Sequence, residues 1–156
     1  MRQSLLSDPE SFRLPGGRGS CESACIAAAE YLYNQFASMG LAVRYHPWNY
    51  GGYSSNNVEA TINGTDETSD EIYIICGHYD DMPSGSLAPG ADDNASGTCA
   101  VLEAARLLAP YSFDYTLVFI AFDEEELGLI GSRAYADTAY NRGDSIMGVL
   151  NFDMIA

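Results

Sequence analysis

The chain has 156 residues, 47% hydrophobic and 12% aromatic, enough for one domain with its own core, which excludes intrinsic disorder. Twenty-two Asp and Glu stand against seven basic residues, every one an Arg, giving a net charge of −15 and a pI near 4.1. Such a charge repels phosphate backbones and anionic lipid heads, so nucleic acid and membrane surfaces are set aside as partners, while amines and metal ions remain.

The start, MRQSLLSDPE, reaches Asp8 and Pro9 before the roughly 7–15 apolar residues of a signal peptide accumulate. Ser20 to Met39 carries Ile26, Ala29, Tyr33 and Phe36 at helical intervals and stops at Gly40, so a first helix is predicted there. Within it Cys21 and Cys25 lie one turn apart, the only close cysteine pair; most of the four cysteines, Cys76 and Cys99 being the others, read as small buried hydrophobes. Leu41 to Trp48 and Asn57 to Ile62 are predicted strands, separated by the turn-rich stretch NYGGYSSN. Glu71 to Cys76 is an almost continuous apolar run, the pattern of a strand covered on both faces.

Ala95 to Ala109 places Val101, Leu102, Ala105 and Leu108 on one helical face before Pro110. Tyr115 to Phe122 is a second buried strand, Gly131 to Tyr140 a short helix, and Ile146 to Phe152 a third strand. The longest apolar run, Leu117 to Phe122, is far short of the about 20 residues of a membrane span. Alternating strands and helices imply an α/β fold with three α/β/α layers around a mostly parallel mixed sheet, formed by one domain over residues 1–156.

In open parallel sheets ligands bind beyond the carboxyl ends of the strands. Here those ends carry His78 and Asp80 (GHYDD), Glu124, Glu125 and Glu126 (FDEEELG), and Asp153 (NFDM), and the intervening loop adds Asp92 and Asp93 (PGADDNASG). Each has an ordinary alternative: a structural histidine, a helix cap at Asp92 or Asp93, a solvated run of Glu, a polar strand end. Coincidence at three successive strand ends favours a shared site. Zinc takes imidazole nitrogen and carboxylate oxygen at about 2.0–2.2 Å, and a neighbouring free carboxylate then serves as general base. Two adjacent Glu divide those duties, one binding metal and the other facing water.

The segments GHYD, PGADDNASG, EELGLIGS and NFDM, in that order between Gly77 and Met154, resemble those of the zinc aminopeptidases of the bacterial leucine-aminopeptidase type, the M28 metallopeptidases. The resemblance implies a phosphorylase/hydrolase-like zinc exopeptidase fold. It makes His78 a ligand of a first zinc, oriented by Asp80, with Asp93 as a bridging carboxylate and Asp153 completing the first site. The paired Glu of the family fall on Glu125 and Glu126, so Glu125 is implied to be the general base and Glu126 a ligand of the second zinc. A cis peptide after Asp93 is also implied, as are peptide substrates with a free N-terminus and an extracellular or periplasmic location.

The sequence departs from this family in one respect. Members supply a further His to the second metal from beyond the NFDM strand, whereas here only His46 and His78 exist, and His46 lies in no motif. The expectation is therefore an incomplete fold, the amino-terminal portion of a peptidase domain, holding one fully liganded zinc of the two. Three alternatives stay open: a carboxypeptidase of related fold, although no Arg in the motif region stands out as awaiting a substrate carboxylate; a glutaminyl-cyclase-like enzyme using one zinc; and a non-catalytic metal-binding domain.

Overall fold

A computed structural model describes residues 23–82 and 90–156. The predicted helix start at Ser20, Cys21 with its pairing to Cys25, and Pro89 lie outside the described residues.

Helix α1 spans Ser23–Ser38 and is followed by strands β1 (Ala42–Tyr50), β2 (Tyr53–Ile62) and β3 (Glu71–His78). After a kinked turn over Ala91–Ser96, non-helical at Asp93 and Asn94, come α2 (Gly97–Leu108), β4 (Thr116–Phe122), α3 (Ile130–Arg142) and β5 (Ser145–Asn151). The five strands form one mixed sheet in the order β1-β2-β4-β3-β5. β3 runs parallel to β4 on one side and to β5 on the other, while β1, β2 and β4 pair antiparallel. No helix among the described residues is long and apolar enough to cross a membrane.

Period-two alternation explains why β4 reads as one apolar run. Leu117, Phe119 and Ala121 join Leu32 and Phe36 of α1 and Val101 and Leu102 of α2 on one face. Val118 and Ile120 point the other way, into a smaller cluster with Ile74, Cys76 and the α3 residues Tyr135 and Ala139. The sheet is thus covered on both sides, and the chain leaves β3 through α2 on one face and returns from β4 through α3 on the other. β3 is therefore the point where strand order reverses, and the crevice at its carboxyl end is where such folds bind ligands.

Two expectations change. The stretch NYGGYSSN is not a long turn: β1 runs on to Tyr50, β2 begins at Tyr53, and Gly51 and Gly52, with φ of 57° and 88°, form a two-residue hairpin turn. Both φ angles are positive, as a type I′ turn demands. The helix predicted from Ala95 starts at Gly97, because residues 91–96 form the wider turn, and neither Asp92 nor Asp93 caps it; the Gly97 N–H donates instead to Asn94 Oδ1 at 2.9 Å.

The hairpin also overhangs. The last pair between β2 and β4 is Val58 with Ala121, so Tyr53 to Asn57 and their β1 partners project past the carboxyl end of β4. At about 3.3 Å per residue that is roughly 16 Å, above the sheet edge that carries the acidic strand ends.

Candidate metal centre

β3 delivers His78 into this edge with its ring buried. Its Nδ1 lies 3.3 Å from Asp80 Oδ1 and 3.2 Å from the Asp80 carbonyl oxygen, so the Nδ1–H donates towards Asp80 and Nε2 keeps a free lone pair. Nε2 is buried with no hydrogen-bond partner among the described residues. It faces Asp93 Oδ1 at 3.2 Å, Asp153 Oδ1 at 3.7 Å and Glu125 Oε2 at 4.0 Å. One ligand atom each from His78, Asp93 and Asp153 lies within 4.8 Å of the others. A buried imidazole nitrogen without a donor, ringed by carboxylates 47% and 40% exposed, fits a zinc ion.

The electrostatics agree. Burial by itself would lower the His78 pKa, but Asp80, Glu125 and Asp153 hold it up at about 9, so the surroundings stabilise positive charge here, and a zinc ion would take the place of the proton on Nε2. Burial pushes the Glu125 carboxyl above its ordinary value; His78 pulls it back, and Asp80, Asp153 and Asp93 add to the rise. Glu126 is raised too, by burial and then by Asp93, its strongest charged neighbour. It stands outside the group of three ligand atoms.

Asp80 is fully buried and does more than hold an imidazole. Its Oδ1 accepts the Glu125 N–H at 3.0 Å and its Oδ2 the Glu126 N–H at 3.1 Å. One carboxylate thus fixes the histidine of β3 and the two glutamates after β4 relative to each other. Glu124 turns away: at φ 55° it is 1% exposed, not part of a solvated run, and it sits beneath the overhanging hairpin.

Asn57, which carried no sequence signal, closes this loop from the side. Its Oδ1 accepts the Asp123 N–H at 3.0 Å and its Nδ2 donates to the Gly131 carbonyl at 2.9 Å, so one amide ties both ends of the Glu124–Ile130 stretch to β2. The same Nδ2 lies 3.3 Å from His46 Nδ1. His46 is buried against Tyr135, away from the metal centre.

On the other side Asn94 joins the two segments that carry Asp93 and Asp153. The Asp93–Asn94 peptide is cis. Asn94 Nδ2 donates to the Phe152 carbonyl at 2.9 Å, and its Oδ1 accepts the Met154 N–H at 3.3 Å. Asp93 and Asp153, 60 positions apart, are therefore flanked by directly bonded neighbours.

A family model, peptidase family M28, matches residues 57–156. The chain belongs to peptidase family M28. It is 41% identical over 105 residues to a probable zinc metalloprotease of Pyricularia oryzae, a match covering 64% of this chain and 21% of that one. To the Bacillus subtilis aminopeptidase YwaD it is 48% identical over 67 residues, 43% of this chain and 14% of the relative. Among solved structures, the Legionella pneumophila aminopeptidase LapA superimposes with a TM-score of 0.80 at 25% identity, over 94% of this chain and 41% of LapA. The matched part of this M28 chain thus spans 21% of the Pyricularia protein, 14% of YwaD and 41% of LapA.

Proposed function

We propose that this chain carries the catalytic edge of a zinc-dependent exopeptidase that removes residues from the free amino end of peptides. The observation that carries the reading is the buried, unpartnered His78 Nε2 facing Asp93 and Asp153, with the Glu125 carboxylate 4.0 Å away. His78, Asp93 and Asp153 would hold one zinc, and Asp93 with Glu126 would hold part of the shell of a second. Bound there, zinc supplies Lewis acidity to the scissile carbonyl and to water.

The protein's own groups do the rest. Glu125, on the turn leaving β4, takes the proton of the attacking water and returns it to the departing amine. Its raised pKa suits both halves of that shuttle. Asp80 keeps the His78 lone pair aimed at the ion and holds the Glu125 backbone in register with it. The acidic rim attracts the protonated amine of a peptide and repels its carboxyl end. An extracellular or periplasmic location belongs to this same reading and rests on the family resemblance alone.

The test is release of p-nitroaniline from aminoacyl anilides by the zinc-loaded protein. Substrates with a free amine are expected to react and acetylated ones not; equal rates on both overturn the aminopeptidase reading, as does cyclisation of amino-terminal glutamine in its place. Glu125→Gln is expected to abolish turnover with zinc content unchanged, whereas His78→Ala lowers zinc content first, read by metal analysis. Loss of zinc in the Glu125 variant would make it a ligand instead of a base. One zinc per chain is expected, because among the described residues one group of ligand atoms, from His78, Asp93 and Asp153, comes together.

A further inference from the structure

A second cleft opens beside the metal centre, between the overhanging hairpin and the loop after β4. Its inner part is a cavity of about 490 Å³ whose wall is mostly apolar and aromatic, from Trp48, Tyr50, Tyr53, Leu127 and Ile130, with Glu124 its one acidic residue. Trp48 is buried, and its indole N–H finds no hydrogen-bond partner among the described residues. Tyr50, Leu127 and Ile130 also border an adjoining cavity of about 350 Å³, whose far wall is the first turn of α3 with Arg133. The two cavities share these three wall residues and so adjoin as a trough. It begins at Leu127, two residues beyond Glu125.

Arg133 is the singular feature. Among the described residues Arg44, Arg106 and Arg142 are each paired with a carboxylate, on Glu59, Glu103 and Asp144, but Arg133 makes no ion pair. In a chain of net charge −15 an exposed guanidinium left free is available to an anion from outside. Asp137, one turn further along α3, shares the wall without reaching ion-pair distance of Arg133.

We propose that this trough receives the carboxyl-terminal end of a short peptide, its last side chain, aromatic or large aliphatic, in the cavity beneath the hairpin and its terminal carboxylate on Arg133. The proposal rests on the peptidase reading for what happens at the peptide's other end. The sequence singled out no Arg of the motif region for a substrate carboxylate, because only folding shows which guanidinium lacks a partner. The chemistry favours a chain terminus: a guanidinium forks onto both oxygens of a carboxylate, and an apolar cavity next to it takes the adjoining side chain. The substrates would be short peptides ending in an apolar residue, held at both ends.

Trp48 is the only tryptophan in the chain, so its emission reports occupancy of the cavity directly. The zinc-loaded protein is titrated with N-acetyl-Gly-Gly-Phe, which has no free amine to be processed, with its carboxamide, and with N-acetyl-Glu-Gly-Phe-amide, whose only carboxylate is on a side chain. The free acid is expected to bind about tenfold more tightly than either amide and to shift the Trp48 emission. Arg133→Gln, at an exposed position without an ion pair to lose, is expected to erase that preference, and Asp137→Asn to strengthen it. Equal affinity for acid and carboxamide, equal affinity for the side-chain acid, or binding by calorimetry that leaves Trp48 emission unmoved overturns the proposal. No bond is cleaved in these titrations. Normal anilide turnover without acid preference therefore sinks the trough alone, and acid preference without turnover sinks the hydrolytic reading alone.

Discussion

Asn57 bonds to both ends of the loop that holds Glu124, Glu125 and Glu126, and it does so from β2, a strand that supplies none of the proposed zinc ligands. Replacing it by Ala would leave the Asp123 N–H and the Gly131 carbonyl buried without partners. At about 1–3 kcal/mol for each such group, Asn57→Ala is expected to cost about 3 kcal/mol, read as a lower urea midpoint with an unchanged m-value. His46, its neighbour, has a different signature. Burial lowers the His46 pKa, helped by Arg44 and Arg142 and opposed by Glu59. The unfolded chain therefore binds this proton more readily than the folded one, and the stability due to neutral His46 is present above about pH 6.5 and lost as pH falls below it. The stability difference between the native protein and His46→Gln is expected to narrow between pH 7 and pH 5, measured by denaturation at each pH.

At the scale of elements, the start of α2 packs against the end of β5 with nothing between them. A Cβ on Gly97 would overlap the Asn94 side chain and the Phe152 carbonyl, the two groups that link the flanks of Asp93 and Asp153. Gly97→Ala is expected to destabilise the protein by about 1–3 kcal/mol and to weaken zinc binding as well, since the two carboxylates move apart. A zinc titration followed by calorimetry separates the two effects. The same contacts show what the sequence discloses. β3, β4 and the three helices were legible because apolar periodicity is a local signal, and the strand ends followed from the fold class. Asn57, Asn94 and the doubled use of Asp80 were not, because a side chain bonding to backbone 45 to 74 positions away leaves no periodic trace. Glu124 looked like its neighbours until a positive φ turned it inward. The hairpin was misjudged for a related reason: Asn, Ser and Gly are typical of turns, yet Ser54, Ser55 and Asn56 pair in β2 as ladder residues once two glycines close the turn.

Across the whole molecule, β5 is an edge strand with Met147, Val149 and Leu150 exposed, and no described strand covers its outer side. An unpaired apolar edge is a template for another strand. This chain is expected to self-associate as its concentration rises, visible as a shift in sedimentation, and Val149→Lys is expected to suppress that shift. The backbone of the last residues is meanwhile committed to the opposite wall of the site. The amides of Met154, Ile155 and Ala156 donate in turn to Asn94 Oδ1, Ser96 Oγ and Asp92 Oδ1. An ion that grips Asp93 and Asp153 therefore also fastens this tail, and by reciprocity whatever loosens the tail weakens the ion's hold by the same factor. Slowed hydrogen exchange at those three amides on adding zinc would register that linkage from a distance, without any substrate present.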